Sequence, residues 1–202
     1  MKRTLPIALK LEGRLALIAG GGDEALFRAE SLTASGARVR VFTPNPGERI
    51  ERAASEGLFE LTRRDIVESD LEGAFLLVLT DRDETLAARL EQAANAKNLL
   101  YCAVDQPAFG NFSHLAIARA GLLFAAIGTQ GDAPALARKL RELFEQLFAS
   151  AGLAAFVDRL AILRAATPSE HRRRVLGDAV RDVRIEGRLV LPSETDAAGP
   201  QP

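Results

Sequence analysis

Through the first half of the chain, short apolar runs alternate with longer stretches of helical periodicity. Residues 14–20 (Arg-Leu-Ala-Leu-Ile-Ala-Gly) form the first run, closed by glycines. Such an unbroken run suits a strand buried on both faces of a parallel sheet. From Asp23 to Ser35, Ala25, Ala29 and Leu32 recur on one helical face, and Gly36 supplies a stop. Residues 37–43 read as a second strand, ended by Pro44 and Pro46. A helix over 47–56, a short strand at 58–62, a strand at 75–80, a helix over 83–96 and a fifth strand at 99–104 continue the alternation. The pattern predicts an α/β protein with a right-handed, doubly wound parallel sheet.

After Asp105 the rhythm changes. Residues 106–113 read as loop, 122–127 as a strand, and 133–150 as a strongly amphipathic helix. Two Arg-rich helical stretches follow at 153–166 and 168–182. The pattern places a Rossmann-type domain at 1–112, a connecting segment at 113–150 and a helical domain at 151–191. The polar Pro/Gly/Ala stretch 192–202 is expected to be a flexible tail.

The glycine turn carries the first chemistry. Gly20-Gly21-Gly22-Asp23-Glu24-Ala25 is the G-x-G-x-x-A form of the dinucleotide fingerprint, set where a strand meets a helix. The first glycine permits the tight turn and the second lets backbone approach a diphosphate. The small Ala25 lets helix and strand pack closely. The helix N-terminus offers N–H groups and partial positive charge to the phosphates. The end of the second strand reads Phe42-Thr43-Pro44-Asn45, without the acidic residue that often accepts from an adenosine ribose. Thr43, Pro44 and Asn45 are the candidates there. The absence of an arginine from that turn leans towards NAD over NADP. Arg40 reads as a solvated edge residue.

Composition narrows the classes. Of 202 residues, 48% are hydrophobic and 26% charged, which is globular rather than disordered. A net charge of −1 gives no nucleic-acid footprint and no general attraction to anionic membranes. The single cysteine, Cys102, excludes an internal disulfide and a four-thiolate metal site. The N-terminus lacks the form of a signal peptide, and no run reaches the roughly 18 apolar residues of a membrane helix. A cytoplasmic protein is expected. No G-x-S-x-G elbow, P-loop or H-E-x-x-H is present.

Several anchors beyond the glycine turn resemble one family. They are Leu5-Pro6 before the first strand, Thr80-Asp81 after the fourth, Val104-Asp105 with a loop ending in Phe112, and Gly128-Thr129-Gln130-Gly131-Asp132-Ala133-Pro134 opening the long helix. Over residues 4–190 the chain resembles the precorrin-2 dehydrogenase/sirohydrochlorin ferrochelatase module of siroheme synthases. The resemblance implies NAD-dependent oxidation of precorrin-2 to sirohydrochlorin, often followed by Fe²⁺ insertion. It also implies a homodimer joined through the segment after the Rossmann domain, so that 113–150 would serve dimerisation and the active site.

By position, Asp105 matches the family's essential aspartate, able to act as general base or to accept pyrrole protons as metal enters. Thr129 falls where a serine lines the family's site, with Gly131 beside it, and Thr80 and Asp81 adjoin the cofactor. Precorrin-2 is a polycarboxylate, so Arg119, Arg138 and Arg172–Arg174 are candidate partners; for each arginine taken singly, solvating a helix is the alternative. Asp132 is expected to cap the long helix, with Pro134 early in it. The chain departs from the family at Ala87 and Cys102, and reads Phe112-Ser113-His114-Leu115 where Phe-x-x-Pro is common. His114 reads either as an acid/base group or metal ligand, or as a helix-start residue bonded to backbone. His171 reads as surface charge, Cys102 as an inert buried residue, and no stable metal site is expected. Two other functions compete with the dehydrogenase: a non-catalytic nucleotide- or tetrapyrrole-binding protein of this fold, and a dehydrogenase for another small substrate.

Overall fold

The structure, a computed structural model, describes residues 4–191. The stretch expected to be a flexible tail, 192–202, lies outside them. The chain divides into two compact units. One runs to Ala116 and includes Gly128–Ala137; the other comprises Ile117–Ile127 and the residues from Arg138 onward.

The first unit is built on five parallel strands, β1 (Leu15–Ala19), β2 (Arg38–Phe42), β3 (Glu60–Thr62), β4 (Leu76–Leu79) and β5 (Leu100–Ala103), ordered β3-β2-β1-β4-β5. Helices α1 (Asp23–Ala34), α2 (Glu48–Ser55) and α3 (Glu84–Ala96) connect them, with a 3-10 turn at Glu68–Leu71 before β4. The period-2 alternation of the strands divides the core in two. Ala16, Ile18, Val39, Val41, Leu76 and Val78 meet Ala25, Ala29 and Leu32 of α1 and Ile50 of α2. Leu17, Ala19, Phe42, Leu77, Leu79 and Tyr101 meet Ala87 and Leu90 of α3, with Ile66 and Leu71. Both faces of β1 and β4 are covered, which is why these strands carry no polar residue.

Chain direction across the sheet reverses between β1 and β4, and such a switch point opens a crevice at the carboxyl ends of the strands. Arg40 does not lie on an edge strand as expected. β2 is flanked by β1 and β3, and Arg40 pairs with Glu60 across β3 at 2.6 Å. The far edge, β5, is closed by Asn111. Its carboxamide accepts from the Tyr101 N–H at 2.9 Å and donates to the Leu99 carbonyl at 2.9 Å. The side chain thus satisfies groups that a sixth strand would otherwise pair.

The second unit contains most of the hairpin β6 (Ala116–Ala120) and β7 (Leu123–Ile127). Their two-residue connection, Gly121-Leu122, joins only antiparallel neighbours, and Gly121 takes the positive φ of +58 such turns need. The pattern had indicated β7 but not β6. Helices α4 (Pro134–Ser150), α5 (Leu153–Ala166) and α6 (Arg172–Val180) follow; α6 is shorter than the expected stretch 168–182. Arg172 closes the end of α5 by donating to the carbonyls of Thr167 at 2.9 Å and Arg164 at 3.2 Å. That employs its guanidinium on backbone rather than leaving it for a ligand.

Candidate functional site

Parallel register lines up the ends of four strands. Ala19 pairs with Leu79 and Leu79 with Ala103, so Gly20, Thr80 and Val104 leave the sheet side by side, with Thr43 on the other flank of Gly20. At about 4.8 Å per strand, Gly20 and the start of the Asp105 turn stand about 10 Å apart on one edge.

The turn after β1 is shaped by what a side chain would meet. Gly20 has φ +136, and a Cβ there would fall 2.0 Å from Thr80 Oγ1 and 2.8 Å from Asp81 Oδ1. At Gly21 a Cβ would meet Thr43 Oγ1 at 2.5 Å and the Asn45 carbonyl at 2.7 Å. A Cβ on Gly22, which opens α1, would have nothing within 4 Å, and no side chain caps that helix start. The backbone is therefore exposed to an approaching anion beside uncapped N–H groups, a cradle that fits a diphosphate.

The loop after β2 presses against this turn: Gly47 N–H donates to the Gly21 carbonyl at 3.2 Å. Thr43 is buried, and its hydroxyl accepts from Asn45 N–H at 3.3 Å, so it shapes the loop. Pro44 and Asn45 lie on the same loop. Asp23 pairs with Arg49 at 2.9 Å in an exposed ion pair, and Glu24 pairs with the half-buried Arg28 at 2.6 Å.

Past β4, Thr80 donates to the Ala19 carbonyl at 3.2 Å, fixing the fourth strand's end against the glycine turn. Burial, with Asp65 and Asp83 nearby, pushes the Asp81 carboxyl above its ordinary range. Past β5, Asp105 has φ +58, a left-handed conformation that costs a non-glycine residue about 1 kcal/mol. Its carboxylate accepts from Arg82 Nη2 at 2.6 Å. The Gln106 carboxamide donates to the Asp81 carbonyl at 3.0 Å, a second tie between the same two loops. Its Oε1 is buried with no partner among the described residues. Arg82 and Gln106 carry no motif, and only adjacency to Thr80-Asp81 and to Asp105 could have drawn attention to them.

His114 does not begin a helix. It lies in extended chain before β6, with its ring edge-on to Phe112 at 5.3 Å and its backbone N–H directed at the Cys102 sulfur. Crowding by neighbouring atoms, with Arg28 nearby, lowers its pKa, while the residue keeps exposed surface. The direction leaves a neutral imidazole at pH 7. Burial pushes the Cys102 thiol up, keeping it protonated.

Thr129 and Gly131 belong to the first unit, on the turn before α4. The Thr129 hydroxyl, rather than the expected Asp132 carboxylate, accepts at the helix entry, from Ala133 N–H at 3.3 Å. Gln130 accepts from the backbone N–H of Thr4 at 3.1 Å and takes a left-handed φ of +59. Arg119 and Arg138 fall in the second unit. Both are exposed, and Arg119 lies over the Phe124 ring at 5.8 Å. No group of three or more metal-ligating side chains occurs among the described residues.

A family model described as putative NAD(P)-binding matches residues 7–116. The chain belongs to that family. The match spans the five-strand sheet and the glycine turn at Gly20–Gly22. The chain is also similar, at 35% identity over 96% of its length, to the siroheme synthase of Pseudomonas paraeruginosa. It is 32% identical over 96% of its length to that of Azotobacter vinelandii. In each case it spans 42% of the relative's length. Among solved structures it resembles SirC, a precorrin-2 dehydrogenase, with a TM-score of 0.75 and 22% identity, covering 89% of this chain and 90% of that one. This last likeness shows a shared fold.

Proposed function

We propose that the chain is an NAD-dependent dehydrogenase that oxidises precorrin-2 to sirohydrochlorin. The observation that carries this reading is the placement of Asp105 on the same sheet edge as the dinucleotide turn, in a chain similar to siroheme synthases over 96% of its length. NAD, when bound, supplies the acceptor for a hydrogen leaving with its electron pair. The protein's share is positioning and proton handling. Amides of Gly20–Gly22 and the start of α1 hold the diphosphate. Thr80 and Asp81, beside Gly20, line the cofactor's approach to the substrate. Oxidation also releases one proton from the macrocycle, which Asp105 accepts and passes to solvent. Its side chain is 62% exposed, so that exit is open.

NAD is favoured over NADP because the loop after β2, Thr43-Pro44-Asn45, carries no arginine. Thr129 and Gly131 extend the substrate side, and neutral His114 stands as a further acid/base candidate. Arg119 and Arg138 are retained as partners for substrate carboxylates.

The assembly is a homodimer, with 113–150 as the joining segment. No side chain of α5 is buried, and Leu122, Phe124 and Ile162 are exposed. The uncovered apolar side chains of α5 and the hairpin gain stability when covered, and a second copy is the occupant that the family resemblance supplies. No single described helix is long and apolar enough to cross a membrane; α4 and α5 pass that test only as a pair bent by 67°. A cytoplasmic location suits this reading.

Incubation of the pure protein with precorrin-2 and NAD⁺ should raise the sirohydrochlorin spectrum, and more slowly with NADP⁺. Silence with both cofactors would defeat the proposal. Adding Fe²⁺ or Co²⁺ to the product asks whether this chain also inserts a metal.

A further inference from the structure

The Arg82–Asp105 pair is an unexpected element of the site. Nη2 and Oδ2 approach to 2.6 Å, although the side chains are 76% and 62% exposed. An ion pair this open contributes little to stability. Nor is it needed to hold the two loops together, since the Gln106 carboxamide, only 9% exposed as a residue, already links them through the Asp81 carbonyl. Asp105 adopts a left-handed backbone that a glycine would adopt more readily, and such local strain persists where the surroundings impose it. The contact is therefore best explained by what the two side chains do at the mouth of the crevice.

Oδ2 of Asp105 is occupied by the Arg82 guanidinium and is poorly placed to receive a proton from a substrate. Something must take the guanidinium over before Oδ2 can act as base. An anionic substrate does this charge for charge, since Arg presents the same donor fork to any carboxylate. We propose that Arg82 is a specificity residue. In the free protein it holds Asp105; on binding, a carboxylate of a polyanionic substrate captures it, releasing Asp105 for proton transfer. This rests on the reading of the site as a tetrapyrrole dehydrogenase and adds to it the group that recognises the substrate's charge.

The test compares wild type, Arg82→Gln, Arg82→Lys and Asp105→Asn by steady-state kinetics with precorrin-2 and by absorbance titration with sirohydrochlorin. Arg82→Gln should raise KM for precorrin-2 and Kd for sirohydrochlorin about tenfold. The change should fall on KM rather than on kcat, and KM for NAD⁺ should not follow it. Arg82→Lys should recover part of the loss, because the charge remains while the fork is lost. Asp105→Asn should bind sirohydrochlorin more tightly than wild type, because Arg82 no longer has an anionic partner in the free protein. A role confined to structure moves neither titration in these directions.

A fall in kcat at constant KM in Arg82→Gln would overturn the proposal and leave Arg82 as a tie for Asp105. Equal sirohydrochlorin affinity in wild type and Arg82→Gln, or no binding by either, would overturn it as well. Absence of turnover by the wild type with sirohydrochlorin binding intact strikes the functional reading instead, and the titrations still decide the role of Arg82.

Discussion

The two units of this chain solve the problem of burial differently. In the first, every residue of β4 is buried, and both faces of the sheet are covered by the unit's own helices. In the second, α5 and α6 bury no side chain, and the hairpin contributes only the alanines 118 and 120 to the buried set. A buried Leu side chain contributes roughly 1.5–3 kcal/mol, so the first unit carries a core sufficient for itself. The second exposes Ile162 at 70% and Leu122 at 76%, apolar area that water penalises until another surface covers it. The lesson is a division of labour: chemistry needs a rigid edge, and the first unit supplies one, while the second presents its apolar side chains outward.

Activity should show this division most strongly. Asp105→Asn in the first unit should lower turnover by about 10²–10⁴, the usual contribution of a positioned acid/base group. Arg119→Gln, on β6 in the second unit, should change kcat by far less and act on KM if it acts at all. A larger kcat effect from Arg119 than from Asp105 would move the chemical centre out of the first unit.

Stability should separate the units next. Leu77 is fully buried in the middle of the sheet, and Leu77→Ala should cost about 2–5 kcal/mol in urea unfolding at any protein concentration. Ile162→Ala removes as much apolar surface from an exposed position. Its cost should be small in dilute protein and should grow with concentration as copies associate. Sedimentation of both variants checks this: a monomer at all concentrations in the parent protein removes the homodimer from the account.

Glycines give a third contrast. Gly21→Ala places a Cβ 2.5 Å from Thr43 Oγ1 and 2.7 Å from a backbone oxygen, so the loop that shapes the dinucleotide turn must move. NAD⁺ affinity by calorimetry should fall about tenfold, the effect of losing one good polar contact. Gly152, before α5, has open space but a φ of +61. Gly152→Ala should cost only about 1 kcal/mol of stability, through backbone strain, and leave cofactor affinity alone.

These contrasts follow how the sequence could be read. The parallel sheet was legible because Leu76–Leu79 and Leu15–Ala19 are apolar without interruption, and only strands covered on both faces allow that. The glycine turn was legible because Gly20 and Gly21 leave no room for a Cβ. The strand Ala116–Ala120 was not, since Ala-Ile-Ala-Arg-Ala shows weak alternation and its neighbour comes from a turn at Gly121-Leu122 that propensity alone does not mark. Arg40 looked like an edge residue because its charge suggests solvent. Its carboxylate partner, Glu60, is twenty positions away, and only the β2–β3 register joins them. The Arg82–Asp105 contact was hidden for the same reason. It depends on β4 and β5 ending level, a fact of register that neither residue's surroundings in sequence disclose.

The smallest expected effect concerns acid, and it compares the two histidines. Crowding, then the charge of Arg28, lowers the His114 pKa from 6.5 to about 4, so the unfolded chain binds a proton there more readily than the folded one. Where the unfolded state holds more protons, stability rises with pH. The contribution of His114 is therefore complete above the unfolded value near 6.5 and is lost as pH falls from there towards about 4. Exposed surface on the residue screens the effect, so the slope should be shallow. Replacing His114 with Gln should flatten the midpoint of urea unfolding across this window, whereas His171→Gln, at the exposed start of α6, serves as the control. If His114→Gln leaves the slope between pH 4 and 6.5 as it was, the imidazole is solvated in the folded state. It then keeps the proton affinity of a free imidazole, and the crowding beside Phe112 and Cys102 has no part in its charge state.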